Sequence, residues 1–307
     1  MTVQSKYINP FTDFGFKRIF GEESNKDILL DFLNEILAPQ GISIKDLTYK
    51  KNDHYPISIE DRKVIFDLYC ENEKGEKFTI ELQKAKQDHF KDRMLYYSTF
   101  SIQEQNVVGK WDYKLKAIYV IAILDFIFDE TDKNKVISYV QLADKETNKV
   151  FSEKLNFITL EIRKFNKQEH ELETNLDKWL YVLKHLHELE KIPLRLQTKI
   201  LEKVFKVAEF IALNKEEKRS YVESLKIYND LQNTLDTSER TGYQKGLQEL
   251  TPLLEEAKAR EDEAKAREKE AKAREKEAIK MMIEVGIPLE KIAEKLSISV
   301  EELNKII

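Results

Sequence analysis

Apolar side chains in the first forty residues recur at intervals of three and four. One run covers residues 14–20 and a second covers residues 28–37, which is the spacing of one buried face of an α-helix. Ser24 or Asn25 can cap the second helix, and Pro39 with Gly41 follows its end. The pattern therefore predicts two consecutive helices near the amino terminus.

The period then changes to two, which is typical of half-buried β-strands. Helical spacing returns at residues 89–108 and again throughout residues 170–235, including 176–189 and 194–213. This order of elements predicts an α/β (α+β) domain that ends near residue 165 and is followed by a helical lobe. The expected strands cover residues 47–51, 64–70, 77–83, 116–124, 136–142 and 156–162.

A seven-residue repeat, EAKARED followed by two copies of EAKAREK, occupies residues 256–278. Only alanines are available for the apolar positions of a coiled coil, whereas acidic residues precede basic ones by four positions. A solvated single helix is the favoured prediction, with a dimeric coiled coil as the alternative. The expected ion pairs are Glu261–Lys265, Glu263–Arg267, Glu268–Lys272 and Glu270–Arg274.

Three short apolar-periodic segments follow the repeat and resemble a helix-turn-helix hairpin. Pro288 suits a helical first turn and Ser299 an N-cap, but the last segment carries Glu301 and Glu302 against Lys305. Protein contact or helical packing is as well supported as base recognition. The predicted domains are 1–165, a mixed α/β core; 166–240, a helical lobe; 241–278, a charged helix or coiled coil; and 279–307, a helical hairpin.

Residues 64–84 are typical of a β-hairpin with one apolar face. If Gly75 takes a left-handed position in a three-residue loop, Phe66, Leu68 and Cys70 face Leu82, Ile80 and Phe78. The same register places Asp67 opposite Glu81, with Gln83 on the same face. Two carboxylates so close repel unless a cation lies between them, and an oxygen-only ligand set suits Mg²⁺ or Mn²⁺.

Asp67 followed by Glu81-Leu82-Gln83 resembles the signature of PD-(D/E)xK nucleases, in which an Asp and a Glu-x-Lys hold the metal and the attacking water. The opening NPFTDFGFKRIFG, the ELQK segment and the following helix with Arg93, Tyr96 and Tyr97 are similar to the Rpn group. These are recombination-promoting nucleases and putative transposases, in which Gln likewise replaces Lys. The resemblance covers residues 7 to about 240 and extends to the charged repeat and tail.

This resemblance implies a restriction-endonuclease-like core with a helical lobe, a long charged helix and a carboxy-terminal helical hairpin. It assigns Asp67, Glu81 and the Leu82 backbone carbonyl to a Mg²⁺ or Mn²⁺ ion, and Asp67, Glu81 and Gln83 to catalysis. An amide supplies no positive charge and takes no proton, so Gln83 can only orient a water. Further residues with an expected DNA-contacting or supporting role are Arg93, Lys84, Asp13 and Lys17.

Composition narrows the class of protein further. With 51 Lys and Arg against 56 Asp and Glu, the formal net charge is -5, so DNA binding requires a local basic patch. The single cysteine, Cys70, excludes an internal disulfide and fits a reducing cytoplasm. The opening residues lack the apolar run of a signal peptide, so none is expected, and residues 117–124, the longest apolar stretch, are too few for a membrane helix.

The sequence thus predicts a cytoplasmic, Mg²⁺-dependent DNA endonuclease with DNA as its partner and no membrane association. One alternative is a transposon-associated DNA-binding module with a degenerate catalytic centre. The other is a structural or regulatory protein that forms a homo-oligomer through its charged helix. Gln83 is the feature on which the choice between enzyme and binding module depends.

Overall fold

The structure, a computed structural model, describes residues 5–50, 53–54, 64–106 and 112–306. The predicted element ends at Lys51, Val108 and Ile307 lie outside the described residues. The chain divides into two compact units, residues 1–235 and residues 236–307. The finer four-part division stays a prediction.

Most helices lie where the apolar spacing predicts them. Residues 194–213 are the exception: they form a shorter helix flanked by 3₁₀ turns rather than one helix, because Thr198 caps a new helix within the run. The α-helices are α1 Asp13–Phe20, α2 Lys26–Leu37, α3 Phe90–Gln103, α4 Asn175–His185, α5 Lys199–Ala208, α6 Lys215–Glu284, α7 Leu289–Leu296 and α8 Val300–Ile306.

A mixed sheet with strand order β1-β4-β5-β6-β8-β7 forms the centre of the first unit, and β2 and β3 pair separately. Strands β5, β6 and β8 are parallel to one another. Strand β4 is antiparallel to both β1 and β5, and β7 is antiparallel to β8. The strands are β1 Leu47–Tyr49, β2 Asp53–His54, β3 Val64–Ile65, β4 Leu68–Asn72, β5 Lys77–Gln83, β6 Ile118–Leu124, β7 Ile137–Ala143 and β8 Val150–Glu161.

Hydrophobic residues cover both faces of this sheet. Helices α1, α2, α4 and α5 pack with one face in the main core, and the predicted core residue Cys70 is fully buried there. On the other face Phe90 and Met94 of α3 pack against Val120 and its same-face neighbours in β6. Strand β6 is buried along its whole length because its alternate side chains enter two different cores.

One expectation for the hairpin was wrong. Phe66 was predicted to face Leu82 on the main-core side, but it packs with Tyr69 in a separate cluster, alongside Tyr97 of α3. The predicted strand over residues 64–70 is interrupted at Phe66 and Asp67, so the alternation of faces breaks between Ile65 and Leu68. A side chain that was expected in one core therefore enters the opposite one.

The charged repeat is helical and forms part of α6. All four predicted acid-to-base pairs are present, at Nζ or Nη to carboxylate distances of 2.6 Å for Glu261–Lys265, 3.3 Å for Glu263–Arg267 and 2.6 Å for both Glu268–Lys272 and Glu270–Arg274. Exposed pairs of this kind stabilise a helix only slightly, because solvent screens their charges. Their benefit is therefore local helix stability.

In the second unit, the end of α6 and the two short helices α7 and α8 enclose a small apolar core built around Ile279, Ile292 and Leu303. Ser299 begins α8 as predicted, since its hydroxyl accepts the backbone N–H of Glu302 at 3.1 Å. The carboxylate of Glu302 accepts the Ser299 N–H in return, at 2.9 Å. This reciprocal capping fixes the start of the last helix.

Gly15 is required where α1 begins. Thr12 caps the helix by accepting the Gly15 N–H at 2.9 Å, and a Cβ at position 15 would lie 2.1 Å from the Asn9 carbonyl oxygen. That oxygen also accepts the Thr12 hydroxyl at 2.7 Å. The segment before α1 therefore folds back so closely that only a hydrogen atom fits.

Gly15→Ala should lower the free energy of unfolding by about 1–3 kcal/mol, the range for an overpacked core, because the backbone must move to admit the methyl group. Gly246→Ala is the matched control. A Cβ added at position 246, in α6, would meet no atom within 4 Å beyond the neighbouring residues and the helix's own backbone, so alanine should be neutral or stabilising there by up to about 1 kcal/mol. Chemical denaturation followed by circular dichroism measures both. Equal stability of the two variants would contradict the close approach.

Candidate active site

The β4–β5 hairpin has the register that the sequence predicts. Residues 68–71 pair with residues 77–80 in the expected antiparallel order, and the turn contains Gly75 at a φ of +77°. Directly beyond the last pair, Leu68 with Ile80, lie Asp67, just before β4, and Glu81 in β5. The register therefore brings these two acidic residues to the start of β4 and the end of β5.

At Asp67 a side-chain oxygen, rather than a backbone carbonyl, accepts the hydrogen bond from the neighbouring strand. The Asp67 Oδ2 atom accepts a hydrogen bond from the Leu82 backbone N–H at 2.7 Å. Because the N–H and C=O of one strand residue point to the same side, the Leu82 carbonyl also faces the Asp67 side of β5. The neighbouring Gln83 carbonyl is on the β6 side, where it accepts the Asp125 N–H at 2.8 Å.

Glu81 is a buried carboxylate with unused hydrogen-bonding capacity. Its side chain is on the sheet face opposite the main core, and the residue is only 6% exposed. The Gln83 amide donates to its Oε2 atom at 3.4 Å, whereas its buried Oε1 atom has no hydrogen-bond partner among the described residues. A buried acceptor without a donor is costly, which makes this oxygen the most conspicuous unsatisfied atom of the site.

The surroundings of the two carboxyl groups raise the affinity of each for protons. Burial, followed by the nearby charge of Asp67, raises the pKa of Glu81 to about 8, while the Arg93 guanidinium opposes the rise. Burial also raises the pKa of Asp67, and the Leu82 N–H partly offsets that rise. Without an added cation, the pair is therefore unfavourable in its fully ionised form at neutral pH.

A cleft of about 500 Å³ opens beside Asp67. Asp13 and Lys17 of α1 line it and form an ion pair at 3.2 Å. The charge of Asp13 raises the pKa of Asp67, and those of Lys17 and Lys84 lower it. The sequence-predicted supporting residues Asp13, Lys17 and Lys84 thus lie within electrostatic range of Asp67.

Arg93 lies on the other side of the pair, in α3. Its guanidinium is 5.5 Å from the rings of both Phe90 and Tyr97 and donates to the Gln87 amide oxygen at 2.6 Å. Its positive charge opposes the rise in the pKa of Glu81. The eight residues that the sequence singled out thus lie in α1, just before β4, at the end of β5 and directly after it, and in α3.

The sequence pattern did not reveal the polar network at the adjoining strand ends. Asp125, which directly follows β6, accepts from Arg163 Nε at 3.1 Å, from the Tyr228 hydroxyl at 2.7 Å and from Gln232 Nε2 at 3.2 Å. The Gln232 amide also donates to the Lys84 carbonyl at 3.4 Å. These hydrogen bonds hold the backbone just beyond Gln83 in place. The feature of the sequence that could have indicated the network is Asp125 itself, an acidic residue immediately after a buried parallel strand.

Comparison with known protein families identifies the family of the chain. Residues 10–238 match the model of the PD-(D/E)XK nuclease family transposases. The chain belongs to this family. The match covers the sheet, α3 and the part of α6 that contributes Tyr228 and Gln232 to the polar network.

No significant match emerged from comparison with curated proteins or with solved structures. Over the described residues, no helix combines the length and apolar character needed to cross a bilayer. In the same residues, no group of three or more His, Cys, Asp or Glu side chains is arranged to hold a metal ion.

The stability of the metal-free protein should fall as the pH rises from 5 to 8. Between its unfolded pKa of 4.5 and its folded pKa of about 8, the Glu81 carboxyl binds a proton in the folded state and releases it on unfolding. Fewer protons are then bound in the unfolded state, so the free energy of unfolding decreases by up to about 1.4 kcal/mol per pH unit. Glu81→Gln, which cannot titrate, should lack this part of the slope.

Denaturant unfolding in EDTA at several pH values measures the difference between Glu81→Gln and the parent protein. Relative to the parent protein, the free energy of unfolding of the variant should rise progressively from pH 5 to pH 8. A constant difference from pH 5 to pH 8 would show that Glu81 titrates normally. The exposed Glu277→Gln, in the charged helix, is the control for loss of one carboxylate.

Proposed function

We propose that this protein is a Mg²⁺- or Mn²⁺-dependent DNA endonuclease. The observation that carries the proposal is the buried Oε1 atom of Glu81, which has no hydrogen-bond partner among the described residues, beside the partly buried carboxylate of Asp67. A divalent cation would offset both charges and occupy the free oxygen. The family match supports the reaction class, because nucleases of this superfamily typically use divalent metal ions.

The donor set suits a hard, hydrated cation. Mg²⁺ is commonly held by one or two carboxylates and keeps several of its waters. Asp67, Glu81 and the Leu82 carbonyl would supply three oxygen ligands, and Leu82 faces the required side of β5. When bound, the cation supplies Lewis-acid charge that activates water and offsets the negative charge developing on the phosphate.

The protein's own groups have distinct roles in this proposal. Gln83 orients the attacking water through its amide, since Gln83 already donates to Glu81 and shares its strand face. Lys17 and Lys84 supply positive charge near Asp67 that the amide of Gln83 cannot supply. Arg93, beside Glu81, contacts the phosphate backbone of DNA.

Asp67→Asn and Glu81→Gln should each lower the rate of nicking of supercoiled plasmid by at least about a hundredfold, since each removes a charged oxygen needed for the cation. Both variants should remain folded, because each substitution relieves like-charge repulsion without changing side-chain volume. Plasmid conversion is measured with Mg²⁺, with Mn²⁺ and with EDTA. Asp262→Asn, an exposed change in the charged repeat, is the matched control.

Two outcomes would exclude this assignment. If both site variants nick DNA at the parental rate, the catalytic centre lies elsewhere. If the parent protein binds DNA but does not nick it with any divalent metal, the chain is a binding module with a degenerate centre.

Gln83→Lys should retain the nicking activity or raise it, by up to about tenfold. The new ammonium would lie near Glu81 Oε2, which the Gln83 amide contacts at 3.4 Å, and would favour the ionised carboxylate. The acid limb of the pH–rate profile should therefore move to lower pH. Gln103→Lys, exposed on α3, controls for the added charge alone, and complete inactivity of a folded Gln83→Lys protein would contradict the assigned role.

A further inference from the structure

Aromatic side chains and one arginine form a contiguous cluster beside Glu81, in which Phe66 is fully buried and the other members are exposed or partly exposed. Tyr97 packs edge-on against Phe66 with ring centroids 5.3 Å apart, and Tyr96 packs edge-on against Phe100 at 5.1 Å. The Arg93 guanidinium lies 5.5 Å from the Tyr97 ring, and the two tyrosine rings are 6.5 Å apart. These five residues, Phe66, Arg93, Tyr96, Tyr97 and Phe100, are called the aromatic platform below.

The aromatic platform directly adjoins the carboxylate pair. Phe66 is the residue before Asp67 in the chain, and its ring contacts Tyr97. Burial and the nearby Glu81 carboxylate raise the pKa of Tyr97. A molecule lying on the platform would therefore be within reach of the proposed metal site.

The outer part of the platform is accessible to a ligand. Tyr96 is 49% exposed, although it lies between the half-buried rings of Tyr97 and Phe100. Arg93 is also only partly buried, and its planar guanidinium can contact both an aromatic ring and an anion. The surface thus combines π-faces with a positive charge, as sites for single-stranded nucleic acids do.

We propose that the aromatic platform stacks the bases of an unpaired DNA strand, so that the substrate is single-stranded or locally unpaired DNA. This inference rests on the proposed nuclease function, because the platform would hold the strand beside the cleavage site. In an intact duplex the faces of the bases are covered by their neighbours, and only an unpaired strand presents them to tyrosine rings. Arg93 then binds a phosphate of the same strand.

Binding is measured on the full chain in EDTA, where no cleavage occurs, by fluorescence anisotropy of a labelled single strand and of the duplex with the same sequence. The single strand should bind at least about tenfold more tightly than the duplex at low salt. Tyr96→Leu should weaken single-strand binding about tenfold, within the range for loss of one stacked base, and duplex binding less than twofold. Tyr96→Trp, which keeps an aromatic face, should restore tight binding.

Tyr243→Leu is the matched control, since Tyr243 is an exposed tyrosine of the second unit and its loss should leave both affinities unchanged. Quenching of 2-aminopurine in the single strand by the parent protein, and its loss in Tyr96→Leu, reports stacking directly. Equal affinity for single strand and duplex, or an equal effect of Tyr96→Leu on both, would overturn the proposal.

Plasmid nicking separates this inference from the function on which it rests. Nicking with Mg²⁺ but without a Tyr96-dependent preference for the single strand would remove the stacking role and leave the nuclease intact. A Tyr96-dependent preference in a protein that nicks no DNA would support the aromatic platform in a binding module and remove the nuclease function.

Discussion

The repulsion between a buried and a partly buried carboxylate is the constraint on which the rest of this site depends. Glu81 lies in β5 and Asp67 directly before β4, and burial makes each of them costly to ionise. A fold selected for stability alone would replace such a pair with apolar side chains of similar size. The pair is therefore better explained by the proposed cation site than by a stabilising role in the sheet.

The backbone around the two carboxylates is held in place on both sides of β5. The break before Leu68 turns Phe66 away from the main core and frees Asp67 to accept the Leu82 N–H. On the far side of β5, Asp125 fixes the strand end through its own backbone N–H and through Tyr228 and Gln232 from α6. Both sides of the strand are thus anchored, which limits the relaxation by which the pair could reduce its repulsion.

The hairpin register was predictable from sequence because alternation and one glycine determine it. A shift by one residue would bury Asp67 and Glu81 in the main core, and Gly75 suits the left-handed turn position. The four ion pairs of α6 were predictable for a similar reason, since they depend only on spacing along one helix. Local periodicity therefore accounted for the central hairpin and for the charged repeat.

Two other features depend on tertiary contacts that periodicity does not encode. Both faces of the sheet are covered by hydrophobic residues, so the apolar side chain of Phe66 is compatible with either face. The hydrophobic pattern therefore could not predict which face it enters. The Asp125 network joins side chains from positions 125, 163, 228 and 232, and only the folded chain brings them together. The acidic residue at the strand end was visible in the sequence, but its three partners were not.

Gln83 determines how charge must be compensated at this site. A lysine at that position would place a positive charge beside Glu81 in the free protein, whereas the amide leaves the Glu81 pKa near 8. The cationic side chains that lower the pKa values of the pair come from separate segments, Lys17 from α1, Lys84 directly after β5 and Arg93 from α3. Their charges only partly offset the effect of burial, so Glu81 favours its protonated form at neutral pH, and in the proposed function cation binding would displace that proton.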